Sequence, residues 1–123
     1  CTNEALCALA STIFMSALGK QGFRELAETC TQKAHYAAQR LTEIPGVALR
    51  FPKTPFFKEF VLELPLSARA VCDRLLDKQI LAGLPLEPYY PNMENALLVC
   101  VTETRTREEI ETFAESLADA LRK

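Results

Sequence analysis

The hydrophobic positions of this chain change pattern several times, and the first pattern is the most unusual. Over residues 4–18 nearly every side chain is apolar, and only three hydroxyl side chains interrupt the run. A helix that is apolar on all sides has to be covered on more than one side. We therefore predict a first helix that begins at a Thr2 or Asn3 cap, ends before Gly19, and is covered by a second domain or a partner.

The next stretch has the pattern of an ordinary surface helix followed by two strands. Apolar side chains recur every three or four positions over about residues 23–43, which predicts a second helix that ends at Pro45 and Gly46. Alternating apolar and polar positions then predict strands over residues 47–51 and 57–64, separated by a turn that contains two prolines.

The last third of the chain predicts two further helices around a third strand. The helices are expected over about residues 68–78 and 107–121, and the strand over residues 96–101. This strand is apolar at every position, so we expect it to be central and covered on both faces. Thr106 and Glu109 have the spacing of a capping box at the start of the last helix.

The segment between the third helix and the third strand carries the least regular pattern. Residues 80–82 are expected to form a short extended piece, and residues 83–91 a loop rich in proline and aromatic side chains. Stiff loops of this kind bind ligands, and they also simply cross a surface. The residues leave both interpretations open.

The order of these elements predicts the fold class. An α-α-β-β-α-β-α order favours an α+β fold, in the form of a two-layer sandwich. We expect a three-stranded, mainly antiparallel sheet with its helices on one side. Residues 1–22 would form a linking helix and turn, and residues 23–123 a single domain.

Composition and charge exclude several classes of function. The chain has 123 residues, of which 49% are apolar, and a net charge of −2, so neither nucleic acid nor an anionic membrane is an expected partner. No apolar run approaches the roughly 18 residues of a membrane-spanning helix. The five cysteines include no C-x-x-C pair, so we expect reduced thiols and a cytoplasmic location. Because the first residue is a cysteine, we interpret the chain as part of a longer protein.

No residue pattern indicates catalysis, cofactor attachment or metal binding. The four glycines form no phosphate-binding loop, and His35 is the single histidine, with no second metal ligand near it in the pattern. A Schiff-base lysine needs a desolvated pocket, and the six lysines all lie in polar surroundings.

Two residues have a context that permits a functional role. Glu103 follows the end of an apolar strand, where strands deliver side chains to sites, but the pattern favours a structural role, in which it hydrogen-bonds to the backbone of the turn. Cys1 stands ahead of a helix cap, where the pKa of a thiol falls, so both a redox role and an inert chain end remain open.

Several segments, taken together and in order, resemble the P-protein of the glycine cleavage system, in particular the first (alpha) subunit of its two-subunit bacterial form. The similar segments are CTNEAL (1–6), GKQG (19–22), KAHY (33–36), PFFKEF (55–60), ILAGLPL (80–86), YP (90–91) and LLVCVTETRT (97–106).

The resemblance implies that this chain is the C-terminal small domain of a fold-type I pyridoxal-phosphate enzyme whose large domain lies outside it. The whole enzyme would decarboxylate glycine on pyridoxal phosphate and pass the aminomethyl group to the lipoyl arm of the H-protein. The cofactor lysine would belong to the second subunit, which would pair with the first. This chain would then bind no cofactor itself and would act as a scaffold and subunit interface.

The resemblance gives no catalytic residue to this chain. Many fold-type I relatives hold the substrate carboxylate with an arginine after the third helix, but residues 80–84 contain none. The positions that we expect near an active site or an interface are Cys1, Thr2, Asn3, Gly83, Leu84, Pro85, Leu86, Thr102 and Glu103.

The alternative interpretation is a stand-alone α+β module that binds a ligand or regulates a metabolic enzyme. Such a module would not need an all-apolar first helix, whereas a domain separated from its neighbour would. If the first interpretation is right, the isolated chain should self-associate through helix 4–18, because exposed apolar surface of that size tends to be covered.

Overall fold

Seven elements follow one another in the computed structural model, which describes residues 3–122. They are α1 (Glu4–Thr42), β1 (Ala48–Leu49), β2 (Glu59–Glu63), α2 (Ala68–Leu76), β3 (Leu84–Pro85), β4 (Ala96–Cys100) and α3 (Arg107–Leu121). The strands form one sheet in the order β1-β2-β4-β3, and every neighbouring pair is antiparallel. The predicted α+β class and the antiparallel sheet are confirmed.

The sheet has four strands, so the predicted count of three is wrong. The additional strand is β3, which lies inside the stretch predicted to be a loop. It is two residues long and contains Pro85, which lacks the N–H that a strand normally offers. Pro85 is tolerated because it lies opposite Leu97, between hydrogen-bonding positions, while Leu86 donates its N–H to the Ala96 carbonyl at 3.0 Å.

The two predicted N-terminal helices form one kinked element. Gly19 has φ 65° and ψ 178°, which is outside the helical region and accessible almost only to glycine. The break at Gly19 is therefore confirmed, but the turn predicted over residues 19–22 is wrong. The helix resumes directly after Gly19 because a single glycine is enough to redirect the chain.

The core lies between one face of the sheet and the three helices. The second half of α1 contributes small side chains, Ala34, Ala37 and Ala38, together with Leu41. Alanines on this face allow the helix to approach the sheet closely. The largest fully buried side chains come from all the layers: Leu41, Leu62, Leu75, Leu97, Leu117 and Val71.

The central strand β4 is covered fully on one face and only in part on the other, which corrects the prediction of two covered faces. Leu97 and Val99 are buried, whereas Leu98 is half-buried and Cys100 is exposed. The prediction that this strand is central is confirmed, because β4 pairs with both β2 and β3. On its second face Ala96 is fully buried, so within residues 3–122 the cover is lost only toward the end of the strand.

The first half of α1 projects without packing. Every residue from 3 to 17 is exposed, and these include large apolar side chains such as Leu9, which is 57% exposed. No described helix is both long enough and apolar enough to cross a membrane. The predicted all-apolar helix is thus present, and the described domain leaves it uncovered.

Candidate functional site

The clearest concave feature is a cavity of about 520 Å³ beside the end of β4. Residues 79–82 form one wall, residues 99–101 form the second, and the start of α3 forms the third. Its apolar lining includes Ala37, Ile110 and Phe113. The volume falls in the range of small-molecule sites, whose walls are largely apolar with a few polar groups at the edge.

Polar groups at the edge of the cavity come mainly from the turn before α3 and its first turns. They are Arg105, Glu108, Glu109 and Thr112, with Gln79 on the opposite side. Glu109 is already engaged, since its carboxylate accepts the Thr106 N–H at 2.8 Å in the predicted capping box. The cavity therefore offers mainly apolar contacts, with few free polar groups.

Gln79 directs the chain into this wall from the end of α2. Its φ is 61°, a left-handed conformation that non-glycine residues rarely adopt. The Ile80 N–H donates to the Leu75 carbonyl at 3.0 Å and the Gln79 N–H donates to the Leu76 carbonyl at 2.8 Å. This is a Schellman motif, which usually has glycine at the left-handed position.

Gly83 holds the other end of the same wall against the sheet. Its φ is 152°, and a Cβ atom there would lie 2.3 Å from the Leu98 carbonyl oxygen. Only glycine permits this approach of backbone to backbone. Residues 80–82 therefore lie between two residues with positive φ, Gln79 and Gly83, and the cavity lies beside them.

Two of the predicted site segments border the cavity without lining it. Gly83 follows the lining residue Ala82, and Thr102 follows the lining residue Val101. Sequence reasoning missed Gln79, Ala82 and Cys100 themselves. The signal that could have found them is the extended piece at 80–82, if it had been paired with the end of the third strand.

The predicted residues at the helix start are not joined to the others. Asn3 is the N-cap residue of α1 but its side chain makes no capping hydrogen bond. Asn3 and Gly19 are 16 positions apart, which is about 24 Å along a helix, and residues 3–17 of this stretch are exposed. Cys1 and Thr2 lie outside the described residues.

Glu103 is tied to α1 across the chain. The Cys30 thiol donates to Glu103 Oε2 at 3.2 Å, and Lys33 Nζ donates to the backbone carbonyls of Glu103 and Arg105, each at 2.5 Å. Burial, and then the bond to Glu103, raises the pKa of the Cys30 thiol, and the same bond lowers the pKa of Glu103. These contacts hold the turn before α3, which is a structural role for Glu103.

A second cluster joins α1 to α3. Arg40 Nη2 lies 2.8 Å from Glu111 Oε2, and the Tyr36 hydroxyl also donates to this carboxylate. The Arg107 guanidinium lies 5.5 Å from the centre of the Tyr36 ring. Hydrogen bonds from Arg40 and then Tyr36 lower the pKa of Glu111 to about 2. The cluster clamps the two helices together.

The other chemically versatile residues are engaged in packing. His35 stacks on Phe56 with ring centres 4.1 Å apart, and its Nε2 lies 3.2 Å from the Phe56 carbonyl oxygen. Within residues 3–122, no three His, Cys, Asp or Glu side chains come together as a metal site. The four described cysteines are free thiols, of which Cys7 and Cys100 are exposed.

Comparison with known sequences gives a match along almost the whole chain. A family profile described as "Glycine cleavage system P-protein" matches residues 1–117. A probable glycine dehydrogenase (decarboxylating) subunit 1 of Chlorobium limicola is 53% identical over 96% of the chain. The protein of the same name in Moorella thermoacetica is 48% identical over 98% of the chain. The chain spans about a quarter of the length of these curated relatives, 26% and 27% respectively.

Comparison with solved structures agrees. A glycine decarboxylase (P-protein) of the glycine cleavage system, in inhibitor-bound form, matches with a TM-score of 0.86 and 35% identity over 98% of this chain and 27% of that one. A cystine C-S lyase matches with a TM-score of 0.65 at 20% identity, over 78% of this chain and 24% of that one, which indicates a shared fold. The architecture is that of fold-type I pyridoxal-phosphate enzymes.

Proposed function

The chain belongs to the glycine cleavage system P-protein family, and on that premise we propose that it is the C-terminal small domain of the first subunit of a two-subunit glycine dehydrogenase (decarboxylating). The complete enzyme is then a cytoplasmic oxidoreductase of glycine catabolism. It decarboxylates glycine on pyridoxal phosphate and passes the aminomethyl group to the lipoyl arm of the H-protein. The domain described here serves as a scaffold and subunit interface.

One observation carries this proposal: the similarity includes the uncovered helix. The match to the glycine decarboxylase structure covers 98% of the chain, so it extends into the first half of α1, which packs on nothing here. That solved chain is nearly four times as long. An apolar helix that is exposed here, and that aligns with part of a longer chain, is expected in a domain that has been separated from a larger protein.

In this proposal the cofactor lysine lies outside this chain, on the second subunit. Pyridoxal phosphate supplies an electron sink, and it is held in such enzymes by a lysine in a desolvated pocket. Lys33 is half-buried, but its ammonium group is bonded to two backbone carbonyls. The remaining described lysines are exposed: Lys20, Lys53, Lys58 and Lys78. None of these residues fits the role, and we derive no catalytic step from this chain.

In the same proposal, residues 1–22 link this small domain to a large domain outside the chain, and residues 23–123 form the small domain. Gly83, Leu84, Pro85, Thr102 and Glu103 then lie near the active site or a subunit interface, as do the residues at the helix start. The position of Gly83 and Thr102 at the border of the cavity supports this for the loop and the strand end.

The uncovered helix leads to a simple prediction for the isolated chain. Four of its apolar side chains, Leu6, Leu9, Ile13 and Phe14, are more than half exposed, so the 123-residue chain should self-associate through residues 4–18. Light scattering after size exclusion should show a mass that rises with concentration, and the double variant L9E/I13E should remain monomeric. A monomeric wild-type chain at high concentration would favour a stand-alone module instead.

The test of the function uses the full-length protein and its candidate second subunit. We expect the two to co-elute in size exclusion and to catalyse glycine-dependent exchange of carbon dioxide only when they are combined. A first subunit that stays alone, or that exchanges carbon dioxide without a partner, would refute the scaffold assignment.

A further inference from the structure

The pairing between β3 and β4 ends one hydrogen-bonded residue pair earlier than the register of the two strands allows. Leu84 pairs with Leu98, and Leu86 donates to the Ala96 carbonyl, so hydrogen-bonded positions alternate along β3 and β4. The next such pair would be Ala82 with Cys100. The ladder ends before it, because residues 80–82 leave the sheet and form the wall of the cavity.

The open position leaves backbone groups without partners. On its other side β4 uses alternate residues, as in the bond from the Val101 N–H to the Lys58 carbonyl at 2.9 Å. The N–H and C=O of Cys100 therefore face away from β2 and toward residue 82. Among the described residues, neither Cys100 nor Ala82 forms the bonds of that pair, although Ala82 is only 7% exposed.

The unpaired N–H and C=O of Cys100 indicate which kind of group could bind beside this end of β4. One N–H and one C=O on the same edge of a strand are matched by one residue of an extended polypeptide. The cavity beside them offers apolar walls of side-chain size, with Ile110 and Phe113 on the helix side. Leu81 stands at the mouth of the cavity and is 89% exposed, so it is available to cover an inserted segment.

We propose that an extended segment of the full-length polypeptide, from the part outside this chain, pairs with Cys100 and places an apolar side chain in the cavity. This inference rests on the proposed function, under which this chain is one domain of a longer subunit. The relatives carry about three quarters of their length outside the matched region. A segment on the same polypeptide reaches the gap at a high effective concentration, which favours it over a separate partner.

Hydrogen exchange in the full-length protein tests the pairing at single-residue resolution. We expect the Cys100 amide to exchange at least about 100-fold more slowly than an unstructured amide, because it is bonded to the inserted segment. The Val101 amide, which is bonded to β2, serves as the internal standard for an intact sheet. A Cys100 amide that exchanges rapidly while Val101 is protected would overturn the proposal.

A matched pair of variants locates the segment at the cavity. L81D places a charge at the mouth of the cavity and should return the Cys100 amide to rapid exchange. L76D changes another exposed leucine outside the cavity lining and should leave Cys100 protected. Protection that survives L81D would mean that the segment does not enter the cavity, and the proposal would fail.

Two further outcomes separate this inference from its premise. Protection that appears only after the second subunit is added would assign the segment to the partner and refute a source on the same polypeptide. Glycine exchange by the assembled enzyme with an unprotected Cys100 would leave the proposed function standing while this inference falls. If the Cys100 amide is protected but the assembled enzyme does not catalyse glycine-dependent exchange of carbon dioxide, this inference stands and the proposed function falls.

Discussion

The two halves of α1 differ both in the pattern of their apolar side chains and in their burial. Before Gly19 the helix is apolar on all sides and exposed. After Gly19 it has one apolar stripe, which is still exposed at Phe23 and is buried in the core from Cys30 onward. The first half carries the larger apolar side chains, yet the second half contributes to the core through alanines and Leu41. Apolar content alone therefore does not decide burial, because a side chain contributes only where a complementary surface meets it.

The largest expected effect comes from truncating a leucine to alanine on each side of the kink at Gly19 and comparing the two losses of stability. Leu41 is fully buried, so Leu41→Ala should lower the free energy of unfolding by about 3 kcal/mol, within the range for buried leucines. Leu9→Ala should change it by less than about 0.5 kcal/mol in the isolated chain, because exposed sites rarely matter more. Urea denaturation of both variants as monomers measures the difference. Equal losses would mean that the first half packs on the domain in solution.

Acid should weaken the second half of α1 selectively. The pKa of Glu111 is lowered to about 2 by Arg40 and Tyr36, so its contribution is complete above the ordinary pKa of a glutamate. It is lost as the pH falls from about 4.5 toward 2, because the folded state must then accept a proton that it disfavours.

The comparison variant for this pH effect is Glu111→Gln. Urea midpoints of the wild type and the variant should differ at pH 7 and converge as the pH approaches 2. A constant difference across this range would show that the carboxylate charge does not stabilise the contact between α1 and α3.

A smaller effect is expected where α2 ends. Gln79 adopts a left-handed conformation without the freedom of glycine, so Gln79→Gly should stabilise the chain by up to about 1 kcal/mol. The control is Gln39→Gly, an exposed position within the second half of α1, which should destabilise by about 1 kcal/mol. Thermal unfolding of the two variants should shift in opposite directions. A destabilised Gln79→Gly variant would contradict the assignment of strain at that residue.

The smallest effect on stability, and the most direct one on shape, is expected at the kink. A Cβ at Gly19 would meet nothing within 4 Å, but its backbone conformation suits only glycine. Gly19→Ala should therefore return this residue to helical geometry and straighten α1, with little net change in unfolding free energy. Small-angle scattering of monomeric protein should show a larger maximum dimension. An unchanged dimension would mean that contacts hold the kink in place.

Local patterns predicted much of this fold. The stripe over residues 23–43, the capping box of Thr106 and Glu109, and the break at Gly19 all follow from chemistry within a few neighbouring residues. Each depends on the period of a helix or strand, or on the backbone freedom of one residue, so no partner element has to be known.

The contacts between elements and the walls of the cavity were harder to predict, because the residues involved are distant in the chain. Cys30 meets Glu103 across 73 positions, and Arg40 meets Glu111 across 71. A strand of two residues that includes Pro85 has no period to recognise. The sequence pattern did predict Gly83 and Thr102, which border the cavity. The residues of its walls could be identified only once residues 79–82 were known to lie beside the end of β4.

The sequence by itself thus determined the helices, the two longer strands, the break in α1 and the family to which the chain belongs, since these are carried by local periodicity and by conspicuous short segments. Only the tertiary structure decided the fourth strand, the incomplete cover on the second face of β4, the cavity and the unpaired edge at Cys100. The physical reason is that register and packing are relations between surfaces far apart in the chain, and they exist only once the elements have been brought together.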